Sequence, residues 1–71
     1  MISYEPLFRL LDERGISGYR LGKMGFPLTT YHSIRRGHHV STQTIDALCE
    51  LLDCDVSDII VFIPDKKTDE K

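Results

Sequence analysis

The chain has 71 residues, 41% hydrophobic and 28% charged, with a formal net charge of −2. That size and mix suit one small globular domain and exclude a transmembrane helix, because no apolar run approaches the roughly 18 residues needed. The N-terminus, "MISYEPLFRLLDERG", has early acids and no long apolar stretch, so it is not a signal peptide, and cytoplasmic residence is expected.

Helix one is predicted from about Pro6 to Arg14. Proline suits a first helical turn, Leu7, Leu10 and Leu11 follow helical spacing, and Gly15 closes the helix with Ile16 packed behind it. Ser17 is an N-cap for a short helix two, about Gly18 to Met24, carrying Tyr19, Leu21 and Met24. Gly22 inside it costs about 1 kcal/mol relative to alanine, which is tolerable where a neighbouring helix must approach closely. Gly25 ends it. Pro27 then opens helix three, about residues 28–36, and Gly37 closes it. Leu28, Tyr31 and Ile34 make one narrow apolar stripe there. Thr29, Thr30, His32, Ser33 and Arg36 occupy the other faces, an unusual set for a solvent face, which is ordinarily rich in Glu and Lys.

Val40 plugs the connection, and Ser41 caps helix four, about Thr42 to Leu52, whose core stripe is Ile45, Leu48, Cys49 and Leu52. After a turn at Asp53 to Asp55, a fifth short helix is expected over Val56 to Ile60, with Val56, Ile59 and Ile60 as core. The "IIVFIPD" stretch reads as a short strand, with "MISY" as a candidate partner. Residues 1–64 form one unit, and the tail 65–71 is expected to be disordered. Cys49 and Cys54 are spaced wrongly for a C-x-x-C pair and have no second pair for a zinc site. Both are expected to be small buried hydrophobes, with no structural disulfide in an intracellular chain.

The charge is unevenly placed. Residues 14–45 hold Arg14, Arg20, Lys23, Arg35, Arg36 and all three histidines, and not one acid. Residues 46–71 hold eight acids against three lysines. A basic island on an acidic body attracts a polyanion without making the whole surface adhesive.

Two short helices joined by a tight glycine turn, the second poor in acids, make a helix-turn-helix pattern. The stretch "ISGYRLGKMGFPLTTYHSIRRGHHVSTQTIDALCELLDCDVSDII" resembles the Cro/C1-type (XRE-like) helix-turn-helix family, especially its small stand-alone bacterial and phage members. Gly22, Gly25, Ile34 and Gly37 stand at the positions that carry the likeness, with Gly22 where the family usually has alanine. The resemblance implies an all-α, five-helix, lambda-repressor-like DNA-binding domain, with room for a short terminal β-strand pair. It implies that helix three enters the major groove and helix two crosses the backbone. By position, Leu28, Thr29, Thr30 and Ser33 then meet base edges, and Arg36 makes the strongest contact, to guanine or phosphate. Ser17, Tyr19, Arg20, Lys23, His32, Arg35, His38 and His39 are the implied phosphate contacts. Against these stand plainer roles: core packing for Tyr19, helix capping for Ser17, and simple solvation for Arg20, Lys23, His38 and His39. Histidines beside phosphates gain protons as pH falls, so binding is expected to strengthen toward about pH 6.

His32, His38 and His39 are formally a metal set, but a basic neighbourhood repels a cation, and no metal or other cofactor is expected. No catalytic constellation is present, so no enzyme or small-molecule substrate is expected. The implied function is a transcriptional regulator, a repressor by resemblance, bound to double-stranded DNA as a homodimer on a palindromic operator. The alternative is a protein-interaction module, such as an antitoxin or anti-repressor, using the apolar "VFI" end.

Overall fold

The computed structural model describes residues 1–64; the tail 65–71, expected to be disordered, lies outside the described residues. In chain order the elements are strand β1 (Ile2–Ser3), helices α1 (Glu5–Arg14), α2 (Gly18–Lys23), α3 (Leu28–Arg35) and α4 (Thr42–Leu52), a single 3-10 turn at Val56–Asp58, and strand β2 (Val61–Phe62). The strands pair antiparallel, Ile2 opposite Phe62 and Ser3 opposite Val61. The expected terminal pair therefore forms and ties the two ends of the domain together. No helix of the described residues is long and apolar enough to cross a membrane.

The core consists of Tyr4, Leu7, Leu11, Leu21, Phe26, Ile34, Ile45, Leu48, Leu52 and Ile59. Helices α1 and α4 contribute apolar stripes to it, as helical periodicity requires, while α2 and α3 contribute one residue each, Leu21 and Ile34. The turn between α2 and α3 contributes Phe26, and the N-terminal segment contributes Tyr4. The phenolic oxygen of Tyr4 accepts the Val40 N–H at 3.1 Å and lies 3.4 Å from His39 Nδ1. One buried aromatic thus fastens the chain's start to the loop that follows α3.

Several expected boundaries and burials are corrected. The fifth helix is one 3-10 turn, not an α-helix reaching Ile60. Asp55 and Asp58 close a reciprocal capping box around that turn, and strand pairing at Val61 draws the chain out of it before a second turn can form. Only Ile59 there is fully buried, whereas Val56 is 53% exposed. In α2, Tyr19 is 68% exposed and Met24 also lies at the surface, so Leu21 alone carries that helix's packing. In α3 the stripe fades along its length: Ile34 is buried, Tyr31 half-buried and Leu28 41% exposed. Arg36 caps α3 rather than extending it. Both cysteines are only half-buried.

All four helices end alike. The N–H of a residue two or three past the helix donates back into its last turn: Ile16 to the Leu11 carbonyl at 2.9 Å, Phe26 to Leu21 at 3.3 Å, His38 to Ser33 at 3.0 Å, Cys54 to Cys49 at 3.0 Å. This closure needs a left-handed residue just before the donor. Gly15, Gly25 and Gly37 supply it with φ of 68°, 112° and 90°, and Asp53 does so with φ of 53°. These tight reversals pack helices of six to eleven residues into one small unit.

Candidate nucleic-acid interface

Helices α2 and α3 are held at close range by two glycines of α2. A Cβ on Gly18 would lie 2.3 Å from Tyr31 Cε2, and one on Gly22 would lie 2.9 Å from Leu28 Cγ. A side chain at Gly18 must displace the Tyr31 ring, and one at Gly22 the Leu28 side chain. The close approach expected at Gly22 is therefore present, and a second, at Gly18, was not visible in the sequence.

Ser17 caps α2, its hydroxyl oxygen accepting the Arg20 N–H at 3.1 Å. That uses an acceptor lone pair and leaves the hydroxyl hydrogen free to donate outward. Tyr19 and Lys23 lie one turn apart, with Lys23 Nζ 5.4 Å from the Tyr19 ring centroid. Both border a shallow apolar depression with Phe26, Pro27 and Leu28. The core role weighed for Tyr19 is thereby removed. Arg20 is exposed on the same helix.

A second open groove brings together Thr29, Thr30 and Ser33 of α3 with His39, Val40, Ser41 and Thr44. Thr29 is exposed, and Thr30 and Ser33 are half-buried. The groove's far wall is the N-terminus of α4. There the Ser41 hydroxyl accepts the Thr44 N–H at 3.3 Å and sits 3.3 Å from the Thr44 hydroxyl. The sequence alone assigns Ser41 a capping role and leaves Thr44 without one. The available signal was that Ser41 and Thr44 repeat the hydroxyl-rich character of α3 at the start of the next helix.

The remaining site residues are placed less uniformly. Arg36, at the end of α3, and His38, in the loop after it, are exposed. His32 packs edge-on against Tyr31, ring centroids 5.6 Å apart. His39 reaches the groove from its contact with Tyr4. Arg35 turns toward α1, its guanidinium 5.1 Å from the Phe8 ring and 5.9 Å from that of Tyr31. It is held by aromatic faces and does not line the Thr29–Ser33 groove. Arg14, counted with the basic island, donates from Nη1 to the Leu52 carbonyl at the C-terminal end of α4. Its charge serves that helix end, where cations are favoured. Among the described residues no three metal-ligating side chains converge, the three histidines included.

The surface is thus a small hydroxyl-lined groove flanked by an apolar ledge and by the cations of α2. Such a surface can donate and accept hydrogen bonds at base edges, and contact thymine methyls, while placing positive charge beside phosphates.

Comparison with known proteins identifies the fold. A family model described as the Cro/C1-type HTH DNA-binding domain matches residues 7–65. No curated protein sequence matches. Among solved structures, the chain is similar to the crystal structure of the transcriptional regulator VanUg (Form II), with 32% sequence identity, 90% of this chain and 87% of that chain covered, and a TM-score of 0.77. The family match spans most of the chain and the structural likeness nearly all of it, so the chain belongs to the Cro/C1-type helix-turn-helix DNA-binding domain family.

Proposed function

We propose that this protein is a sequence-specific double-stranded DNA-binding transcriptional regulator, acting as a repressor. The observation that carries this is that the acid-free α3 lines one open groove with its Thr29, Thr30 and Ser33 hydroxyls, while its first residue, Leu28, borders a second depression with the α2 pair Tyr19 and Lys23. The similarity to a protein described as a transcriptional regulator supports it.

In this reading α3 lies in the major groove. Leu28, Thr29, Thr30 and Ser33 touch base edges, and Arg36 reaches guanine or a phosphate. Ser17, Tyr19, Arg20 and Lys23 hold one backbone, with His32, His38 and His39 nearby. Ser41, Thr44 and the free N–H groups of the eleven-residue α4 hold a phosphate at a second helix start. Arg35 contributes through the field rather than through a direct contact. Two copies on a palindrome raise the weak affinity of a single half-site through effective concentration.

A fluorescence-anisotropy titration against selected and random duplexes, at about 50 and 200 mM salt, tests this. Salt-dependent binding with a sequence preference supports it; absence of binding to any duplex at low salt refutes it. A protein-interaction role has one observation of its own, the exposed Val61, Phe62 and Ile63 beside Met1 and Ile2. The two roles are compatible when that edge joins two copies.

A further inference from the structure

Cys49 and Cys54 carry no recognisable spacing motif, yet the fold gives them a defined relationship. They occupy the two seats that the shared helix ending creates: the residue whose carbonyl accepts, and the residue after the left-handed one, whose N–H donates. Side chains on these two seats pack against each other. At the end of α1 the seats hold Leu11 and Ile16, and at the end of α2 Leu21 and Phe26, all packed in or against the core. At the end of α4 they hold two free thiols. The Cys54 N–H to Cys49 carbonyl distance is 3.0 Å. Adding standard backbone bond lengths on either side limits the separation of the two Cα atoms to about 7 Å. A disulfide needs Cα atoms about 4.4–6.8 Å apart, so the bridge needs little or no backbone movement. Both thiols also line one open depression with Ile45, Val56 and Ile60, so a small reagent can reach them.

We propose that Cys49 and Cys54 form a redox-active dithiol that closes to an intramolecular disulfide by exchange with a low-molecular-weight disulfide such as oxidised glutathione. The Cys49 thiolate attacks one sulfur of that reagent, forms a mixed disulfide and expels one thiolate. Cys54 then loses its proton and attacks Cys49 Sγ, expelling the second thiolate. Two protein thiols are oxidised, the reagent is reduced to two thiols, and both protons end on the expelled sulfurs. Burial, then the neighbouring Cys49 and Asp58, push the Cys54 thiol up, with Arg14 opposing. Cys54 therefore keeps its proton longer and is assigned the second step. The native fold holds the two cysteines near each other, so folding and oxidation favour each other.

Equilibrating the full chain in glutathione redox buffers, native and in urea, tests this. The products are trapped with acid and weighed intact, then cut at Glu50 and Asp53, between the two cysteines. The expected native product is a monomer lighter by two hydrogens, whose cut fragments stay joined until reductant is added. Its formation constant should be at least about tenfold higher in the native protein than in urea. Cys54→Ser should stop at a mixed disulfide on Cys49, and Cys49→Ser should react several-fold more slowly. Stable mixed disulfides on the wild type, disulfide-linked dimers, or a formation constant no higher than in urea would overturn the dithiol. Equal rates for the two serine variants would overturn the assigned order.

Discussion

Ser33 and Arg36 test the reading face most directly. Ser33→Ala and Arg36→Ala should each cost about 1–3 kcal/mol on the preferred duplex and less on random DNA, so that the specificity ratio falls. Anisotropy titrations on both duplexes measure this, and a uniform loss on both would reassign the residue to phosphate. Arg14 and Lys23 make a sharper pair, because a charge count treats them alike. Lys23→Ala should reduce the steepness of the salt dependence by about one counterion and leave the melting temperature nearly unchanged. Arg14→Ala should leave the salt dependence unchanged and lower stability by about 1–2 kcal/mol, since it uncaps the Leu52 carbonyl. The two glycines of α2 also separate. Gly18→Ala meets the Tyr31 ring, which Phe8 and His32 brace edge-on, and should lose about 1–3 kcal/mol in denaturant unfolding. Gly22→Ala meets Leu28, which is 41% exposed and can move. Its clash and its gain in helix propensity should nearly cancel in stability, while the displaced Leu28 alters binding to thymine-containing sites.

Helix ends decide the shape at the next scale. Three helices close on glycine, and α4 closes on Asp53 with φ of 53°. An aspartate there carries a left-handed strain and a negative charge at a negative helix end. Asp53→Gly should therefore stabilise the domain by about 1 kcal/mol, seen as a Tm rise of roughly 4–8 °C by calorimetry. A lower Tm would mean that Asp53 makes a contact worth more than the strain it carries. At the other end of α4, Ser41→Ala should cost about 1 kcal/mol as a lost cap. If α4 also faces a phosphate, the same change should weaken binding to every duplex alike. The end of α4 was readable as a turn but not as a strained one, since Asp is common in ordinary turns. The fifth helix shows the opposite error. Val56 to Ile60 has helical spacing, but strand pairing three residues after the 3-10 turn overrides local preference.

For the molecule as a whole, one apolar edge remains. Met1, Ile2, Val61, Phe62 and Ile63 are exposed together at the joined termini, with Phe62 64% exposed. A two-stranded sheet with exposed apolar side chains is a ready template for self-association. The proposed homodimer uses this edge. Phe62→Ser should shift sedimentation equilibrium toward monomer and weaken operator binding by at least tenfold, with little change in binding to a single half-site. A wild type that stays monomeric at high micromolar concentration and on DNA removes the dimer.

The sequence by itself determined the four α-helices, the glycine punctuation, most of the core and the clustering of positive charge away from acids. Each of these follows from local chemistry: helical periodicity, backbone freedom at positive φ, and charge counted along the chain. Tertiary structure alone decided which parts meet. Phe26 and Tyr4 are buried because a turn and a terminus happen to face the core, and neither lies in a periodic pattern. Arg14 was withdrawn from the basic face by a carbonyl 38 residues away, and Arg35 by the rings of Phe8 and Tyr31. Thr44 joined the groove because α4 begins beside α3. Contacts between residues far apart in the chain leave no spacing signal in the chain, so proximity of this kind becomes visible only when the helices pack.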